Sequence, residues 1–104
     1  MKKVRVCNIN DIRDGEAKGF EIDDTPILIV KQNGKVYAFE DVCSHQHMPI
    51  SENYDLEEGK LICMWHGAEF ELETGKNLSL PAPAPIKKFD IEIDESGNIM
   101  IIIE

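Results

Sequence analysis

The sequence predicts an all-β protein, built as a small antiparallel sandwich or open barrel. Three observations favour this class: the β-branched and aliphatic runs are short, turn residues separate them, and no stretch repeats apolar residues at helical spacing. With 104 residues the chain has the length of one domain. We therefore expect one hydrophobic scaffold, with no second domain and no deep substrate cavity.

The first half of the chain carries the clearest strand signals. Three segments come first: a candidate strand at 4–7, a turn with one helical turn at 10–15, and a candidate strand at 20–22. The continuous apolar run at 26–31 is typical of a strand buried on both faces. Asn33-Gly34 then predicts a tight hairpin, because both residue types accept positive φ, and 35–39 is the returning strand.

A second hairpin is predicted at the C-terminus. Residues 89–94 alternate apolar and polar side chains with a period of two, as a half-buried strand does. Residues 95–98 contain Ser, Gly and Asn and predict a turn, and the apolar run 99–103 returns. Residues 1–41 and 86–104 are therefore expected to form a basal β scaffold.

The segment between the hairpins has a different character. Residues 42–85 contain two of the three Cys, all three His, the only Trp and four of the five Pro. Strand signals continue there at 60–63 and 68–72, the second closed by Thr74-Gly75. We interpret 42–85 as an insertion into the scaffold that carries the chemistry.

Charge and cysteine content exclude several function classes. The net charge of −9 argues against nucleic acid and anionic membranes, which need a basic surface, but allows a basic protein partner. The longest apolar runs are too short to span a membrane, and no apolar stretch of signal-peptide length follows the basic N-terminus, so a cytoplasmic location is expected. Three cysteines in such a chain indicate thiols or metal ligands, with Cys7 a structural residue on the first strand.

The insertion contains two similar pairs of candidate metal ligands, each a Cys followed closely by a His. Cys43-Ser44-His45 and Cys63-Met64-Trp65-His66 are separated by 17 residues, and each Cys follows a strand signal. Loops at neighbouring strand ends can present two thiolates and two imidazoles to one centre. Such a set binds either a single zinc ion or a [2Fe–2S] cluster in which two His replace two Cys on one iron.

The spacing favours iron and sulfur over zinc. Zinc fingers place their two His three to five residues apart on a helix, whereas here each His is paired with a Cys. In a cluster with two irons, one loop can supply a Cys to one iron and a His to the other. A structural zinc module remains the alternative from the residues alone.

Both pairs lie in longer motifs that resemble the Rieske ferredoxins. Residues 43–52 resemble that family's Cys-x-His box with its aliphatic-Ser-Glu step, and residues 63–75 its Cys-Pro-x-His-Gly-x-x-Phe-Asp box and Thr-Gly turn. Pro81-Ala82-Pro83 is similar to the proline loop that covers the cluster in the family. The resemblance implies a Rieske-like fold in which 42–85 binds one [2Fe–2S] cluster.

The same resemblance implies a function and a set of ligands. Cys43 and Cys63 would bind the inner iron, and His45 and His66 the outer iron, where the electron enters and leaves. The protein would be a monomeric, non-enzymatic carrier between an NAD(P)H-linked reductase and a terminal oxygenase, as in aromatic-ring dioxygenase systems. The alternative within the family is a small subunit of a larger redox enzyme of the nitrite-reductase type.

Departures from the family pattern bear on rigidity and potential. Met64 replaces the usual proline, Glu71 the usual Asp, and His47 is not at a ligand position. The high-potential members carry hydroxyl donors where this chain has Ala68 and Phe70, and a disulfide where it has Met48 and Trp65. We therefore expect a low potential, with Trp65 and Phe70 shielding the cluster.

Overall fold

The part of the chain that the structure describes contains nine β-strands in two antiparallel sheets. The structure is a computed structural model, and it describes residues 2–43, 48–65, 67–78 and 85–103. The strands are β1 (Lys2–Asn8), β2 (Glu16–Ile22), β3 (Thr25–Gln32), β4 (Lys35–Glu40), β5 (Tyr54–Glu57), β6 (Lys60–Cys63), β7 (Ala68–Glu71), β8 (Lys88–Ile93) and β9 (Asn98–Ile103). The larger sheet has the order β1-β9-β8-β4-β3-β2, and the smaller has the order β5-β6-β7. The predicted all-β antiparallel class is confirmed.

Both predicted hairpins are present. Asn33 and Gly34 have φ values of 53° and 79°, so the β3–β4 turn has the left-handed geometry that the Asn-Gly pair predicts. β8 and β9 pair from Asp90↔Ile102 to Ile93↔Ile99. In the β3 strand, four consecutive residues from Ile27 to Val30 are fully buried, which confirms a strand covered on both faces.

Alternate residues of β3 point into two different cores. Ile27 and Ile29 belong to the scaffold core, which lies against β1, β8 and β9. Leu28 and Val30 belong to the intersheet core, which lies between the larger and the smaller sheet. The scaffold core consists of Cys7, Ile12, Ile27, Ile29, Ala38, Phe89, Ile99 and Ile101. The intersheet core consists of Ala17, Leu28, Val30, Tyr37, Phe39, Cys43, Ile50, Leu61, Cys63, Ala68, Phe70, Leu72 and Ile86.

Side-chain hydrogen bonds fasten the smaller sheet to the larger one. The hydroxyl oxygen of Tyr54 on β5 accepts the N–H of Ala17 on β2 at 3.0 Å. The side chain of Gln32 donates to the carbonyl of Glu57 at 2.7 Å and accepts the N–H of Gly59 at 2.8 Å. The smaller sheet is therefore held at both ends of β5, over the intersheet core.

The prediction missed one strand and shortened another. β5 was not predicted, although its sequence alternates inward Tyr54 and Leu56 with outward Asp55 and Glu57. β2 begins at Glu16, four residues earlier than predicted, because its first half has no β-branched residue and pairs only through β3. The helical turn expected near residue 10 is present as a 3-10 helix, Ile9–Asp11, and a second one is Ile50–Glu52. Among the described residues, no helix has the length and apolar character to cross a membrane.

Candidate metal centre

The two predicted cysteine ligands lie in one core. Cys43 follows the end of β4 by three residues, and Cys63 is the last residue of β6. Both side chains are 0% exposed and belong to the intersheet core, and neither is in a disulfide. Strands from two different sheets thus bring two cysteine sulfurs into the same apolar interior.

The two predicted histidine ligands, His45 and His66, lie outside the described residues, as does His47. What the structure describes is how the chain is held around them. The N–H of Cys43 donates to the carbonyl of Met48 at 2.9 Å, and the N–H of Gly67 donates to the carbonyl of Cys63 at 2.8 Å. Each segment that contains a predicted ligand pair is therefore closed by a backbone hydrogen bond at its base.

The predicted proline loop, Pro81-Ala82-Pro83, also lies outside the described residues. The residues on either side of it are anchored. The N–H of Leu78 donates to the carbonyl of Glu69 on β7 at 2.7 Å, and the N–H of Ile86 donates to the carbonyl of Gly75 at 3.0 Å. The described chain on both sides of the predicted loop is therefore fixed to β7 or to the turn that follows it.

The Thr-Gly step after the second box is a structural turn. The hydroxyl of Thr74 donates to the carboxylate of Glu71 at 2.9 Å and accepts the N–H of Lys76 at 3.1 Å. Gly75 has a φ of 79°, and a Cβ there would lie 2.7 Å from the carbonyl oxygen of Ile86. Glycine is required at this turn because both its conformation and the close backbone approach exclude a side chain.

Trp65 joins the two ligand segments. Its indole Nε1–H donates to the carbonyl of Pro49 at 3.0 Å, and the half-buried ring packs against the intersheet core. Phe70 is fully buried in that core. Both aromatic residues therefore pack in or against the interior that holds Cys43 and Cys63.

A buried carboxylate beside the first box escaped the sequence analysis. Asp41 is 5% exposed, and its two oxygens accept the N–H of Ser51 at 2.8 Å and the hydroxyl of Ser51 at 2.5 Å. β2 passes so close that a Cβ on Gly19 would lie 2.5 Å from the Ser51 hydroxyl oxygen. The pair fixes the two ends of the first box to each other, and only its position flanking that box could have drawn attention to it.

Cys7 behaves as the sequence predicts. It lies on β1 opposite Ile99, is 3% exposed, and belongs to the scaffold core. Burial, and secondarily the negative charge of Asp11, raises the pKa of its thiol, which keeps the side chain neutral. It is a packing residue remote in topology from Cys43 and Cys63.

Comparison with known proteins decides the family. Residues 2–90 match the family model of the Rieske [2Fe-2S] domain. The chain belongs to this Rieske family. Membership implies an iron–sulfur cluster of the [2Fe–2S] type, and the two buried cysteines that share one core fit it, since such clusters need thiolate ligands in a dry interior. The family match therefore favours a cluster over the single structural zinc ion that the residues alone had left as the alternative.

Relatives of similar length are ferredoxin components. The chain is 34% identical over 104 residues to the ferredoxin component of biphenyl 2,3-dioxygenase from Rhodococcus jostii, covering 100% of this chain and 95% of that one. It is 33% identical over 101 residues to the ferredoxin component of the alkene monooxygenase system from Xanthobacter autotrophicus, covering 97% of this chain and 81% of that protein.

Solved Rieske structures share the fold. The ferredoxin of carbazole 1,9a-dioxygenase from Nocardioides aromaticivorans superimposes with a TM-score of 0.90 at 24% identity, over 100% of both chains. A ferredoxin-sized chain in the complex of reduced oxygenase and oxidized ferredoxin of carbazole 1,9a-dioxygenase superimposes with a TM-score of 0.85 at 26% identity, over 98% of this chain and 97% of that chain. These likenesses confirm the Rieske-like fold that the motifs indicate.

Proposed function

We propose that this chain is a ferredoxin, a one-electron carrier that takes electrons from an NAD(P)H-linked reductase and delivers them to a terminal oxygenase. The observation that carries the proposal is a Rieske family match over residues 2–90, joined to near-full-length relatives that are ferredoxin components of oxygenase systems. When bound, the cluster supplies one-electron redox chemistry and nothing more. Catalysis would then belong to the oxygenase, and this chain would act without an enzymatic step of its own.

The proposed ligands occupy the two boxes, with the cysteines on the inner iron and the histidines on the outer one. They are Cys43, His45, Cys63 and His66. Support comes from the change in exposure along each box: the cysteine side chains are 0% exposed, whereas Met48 and Met64 are 36% and 49% exposed. The chain runs from interior to surface within a few residues, which suits a centre buried on its thiolate side.

We also propose that 42–85 is a cluster-binding subdomain on a scaffold formed by 1–41 and 86–104. The six strands of the larger sheet all come from 2–40 and 88–103, and the three strands of the smaller sheet come from 54–71. The two parts meet over the intersheet core. That arrangement supports a scaffold that positions the ligand boxes without contributing ligands.

Acidic residues that lie in sequence between the two boxes support a basic redox partner. Tyr54 pairs with Cys63 and Glu57 with Lys60, so Glu52 and Asp55 lie nearer the cysteine end of the smaller sheet, and Glu57 and Glu58 lie at the far end of the β5–β6 hairpin. Glu52, Asp55, Glu57 and Glu58 are all exposed, and Asp55 and Glu57 lie on the outer face of β5 rather than in a loop. In a protein with a net charge of −9 they would steer a basic protein toward the outer face of the smaller sheet, which changes association rates more than final affinity. A solved complex of ferredoxin and oxygenase among the structural relatives supports a protein partner.

Electron transfer measured against salt tests this steering. The rate of oxygenase reduction should fall as the Debye length shortens toward about 10 Å at 0.1 M ionic strength. Neutralising the four carboxylates together should remove most of that salt dependence. The matched control neutralises four exposed acids on the scaffold, Glu21, Asp24, Asp90 and Glu95, and should retain it. A rate independent of salt, or equal loss in both quadruple variants, would argue against steering.

Reconstitution tests the function itself. Mixed with an NAD(P)H-linked ferredoxin reductase, the iron-loaded protein should accept one electron per molecule and pass it on to a ring-hydroxylating oxygenase. Size-exclusion chromatography should show a monomer, as proposed for a mobile cytoplasmic carrier. A protein that copurifies as a fixed subunit of a larger redox enzyme would support the alternative within the family instead.

A further inference from the structure

Each ligand segment is closed on itself, which leaves their relative position to be fixed by something else. The Cys43–Met48 backbone bond closes the first segment, and the Gly67–Cys63 backbone bond closes the second. Neither bond joins one segment to the other. Backbone bonds do hold the second segment against the chain that follows the first box, since Tyr54 pairs with Cys63 and the N–H of Met64 donates to the carbonyl of Asn53 at 2.9 Å. If the four proposed ligands share one cluster, the distance between the segments must be held by contacts that cross from one to the other.

Trp65 makes such a crossing contact. It stands between Cys63 and His66 in the second segment, and its Nε1–H donates at 3.0 Å to the carbonyl of Pro49, the residue after the first segment closes. The indole N–H is the one hydrogen-bond donor of that side chain. The same carbonyl also accepts the N–H of Glu52, at a longer 3.3 Å, so Trp65 is its nearer partner.

Both ends of this contact are themselves held in place. Just after the first segment, Ser51 is fixed by two hydrogen bonds to the buried Asp41, and Ile50, which follows Pro49 in sequence, is fully buried. On the second, the Trp65 ring packs against the intersheet core. Because both of its partners are anchored, this hydrogen bond can hold the two segments at a fixed distance. A hydrogen bond between mobile groups could not.

We propose that Trp65 is a positioning residue: its indole N–H, bonded to the Pro49 carbonyl, acts with the Met64–Asn53 backbone bond to set the relative placement of the two ligand segments, and so slows loss of the cluster. The inference rests on the proposed function. Separation of the segments is the motion that exposes a cluster held from both sides. A hydrogen bond that opposes this motion should therefore appear in the rate of cluster loss more than in overall folding.

The test removes the N–H while keeping the ring. Trp65 is replaced by β-(3-benzothienyl)alanine, in which sulfur takes the place of the N–H, and in parallel by Phe (Trp65→Phe). The matched control is Tyr54→Phe, which removes a 3.0 Å hydrogen bond between the sheets that does not join the ligand segments. Bleaching of the visible absorbance under a chelator gives the rate of cluster loss, and urea unfolding of the iron-free proteins gives their stability.

Both Trp65 variants should lose the cluster about five-fold faster than wild type, the factor that one net hydrogen bond represents. Their iron-free stability should change no more than that of Tyr54→Phe, and their electron-spin signals should broaden. Equal rates of loss in the wild-type, Trp65 and Tyr54 proteins would overturn the positioning role and leave the ferredoxin function intact. A wild-type protein that binds no iron would overturn the proposed function, and this role with it.

Discussion

The two cores of this molecule both bury cysteine, and the difference between them shows what separates the proposed ligands from a thiol that only packs. Cys7 lies within β1, has Ile99 opposite it in the sheet, and is surrounded by aliphatic residues of the scaffold core. Cys43 and Cys63 are equally buried, but each stands where a strand has ended or is ending, next to a segment closed by a backbone hydrogen bond. Burial is common to all three, so position at a strand end distinguishes the two proposed ligands from Cys7.

The cores also differ in how they are held together. Adjacent strands of one sheet surround the scaffold core, so the backbone ladders stabilise it directly. In the described part of the chain no backbone ladder crosses the intersheet core, and the two sheets are linked by side-chain bonds such as Tyr54 to Ala17 and Gln32 to Glu57. The attachment of the smaller sheet to the larger one therefore depends on single polar contacts, which substitutions can test one at a time.

The largest effect on cluster assembly is expected from replacing the cysteines of the two cores. Cys43→Ser or Cys63→Ser should abolish cluster assembly, because a hydroxyl is a poor ligand for iron in a cluster that needs thiolate. Cys7→Ala should keep a full complement of two irons and two sulfides while losing about 1 kcal/mol of stability from a small cavity. Iron and sulfide analysis of the purified proteins gives the answer. Loss of iron in Cys7→Ala would contradict the division between the two cores.

A second effect is expected where the larger sheet touches the first box. In Gly19→Ala the new Cβ would lie 2.5 Å from the Ser51 hydroxyl oxygen and 2.7 Å from an Asp41 oxygen, closer than atoms can approach. We expect a loss of about 1–3 kcal/mol in the free energy of unfolding, measured with urea. The neighbouring exposed Lys18→Ala should cost little. A fully stable Gly19→Ala would show that the Asp41–Ser51 pair can move without penalty.

Features that depend on neighbouring residues could be predicted from the sequence, whereas contacts between distant residues could not. The Asn33-Gly34 hairpin, the two-faced β3 strand and the paired boxes follow from local chemistry, since neighbouring residues determine the turn geometry and the type of ligand. The Asp41–Ser51 pair and the bond from Trp65 to Pro49 join residues 10 and 16 positions apart, through a fold that no local pattern specifies. β5 lies between these cases, because its alternation is local but only four residues long.

A smaller effect is expected on the midpoint potential, which depends on the hydrogen-bond donors around Cys63. Ala68 is fully buried directly opposite Cys63, and Phe70 is buried on the same face of β7, so neither supplies a hydroxyl donor near that cysteine. A midpoint of roughly −150 to 0 mV is expected, at the lower end of the Rieske range, since hydrogen bonds to cluster sulfur raise the potential.

Ala68→Ser and Phe70→Tyr should each raise that midpoint. The matched control, Ile99→Thr, adds a hydroxyl opposite Cys7 and should lower stability without moving the potential. Redox titration followed by visible absorbance checks all three variants. A wild-type midpoint above about +150 mV, in the upper half of the Rieske range, would show that the missing hydroxyls do not set the potential.

The smallest effect is a pH dependence at the junction of the two sheets. The hydroxyl of Tyr37 donates to Glu73 at 2.9 Å, and this bond, assisted by the charge of Lys35, lowers the pKa of Glu73 below its ordinary value of 4.5. A lowered carboxyl pKa stabilises the fold above that value, and the contribution is lost as pH falls through the folded-state pKa. Tyr37→Phe should therefore flatten the decline of unfolding free energy below about pH 4.5, whereas Asp94→Asn, on the scaffold, should leave the part due to Glu73 unchanged.

The central claim is that one centre is held by a cysteine and a histidine from each box. Electron-spin measurements on the reduced protein, grown with ¹⁵N-labelled histidine, address it directly, with His45→Ala, His66→Ala and His47→Ala as companions. The account predicts hyperfine coupling to two histidine nitrogens in the wild type and in His47→Ala, and no assembled centre in the other two variants. A spectrum without histidine nitrogen coupling, or a colourless protein holding one zinc ion, would contradict it.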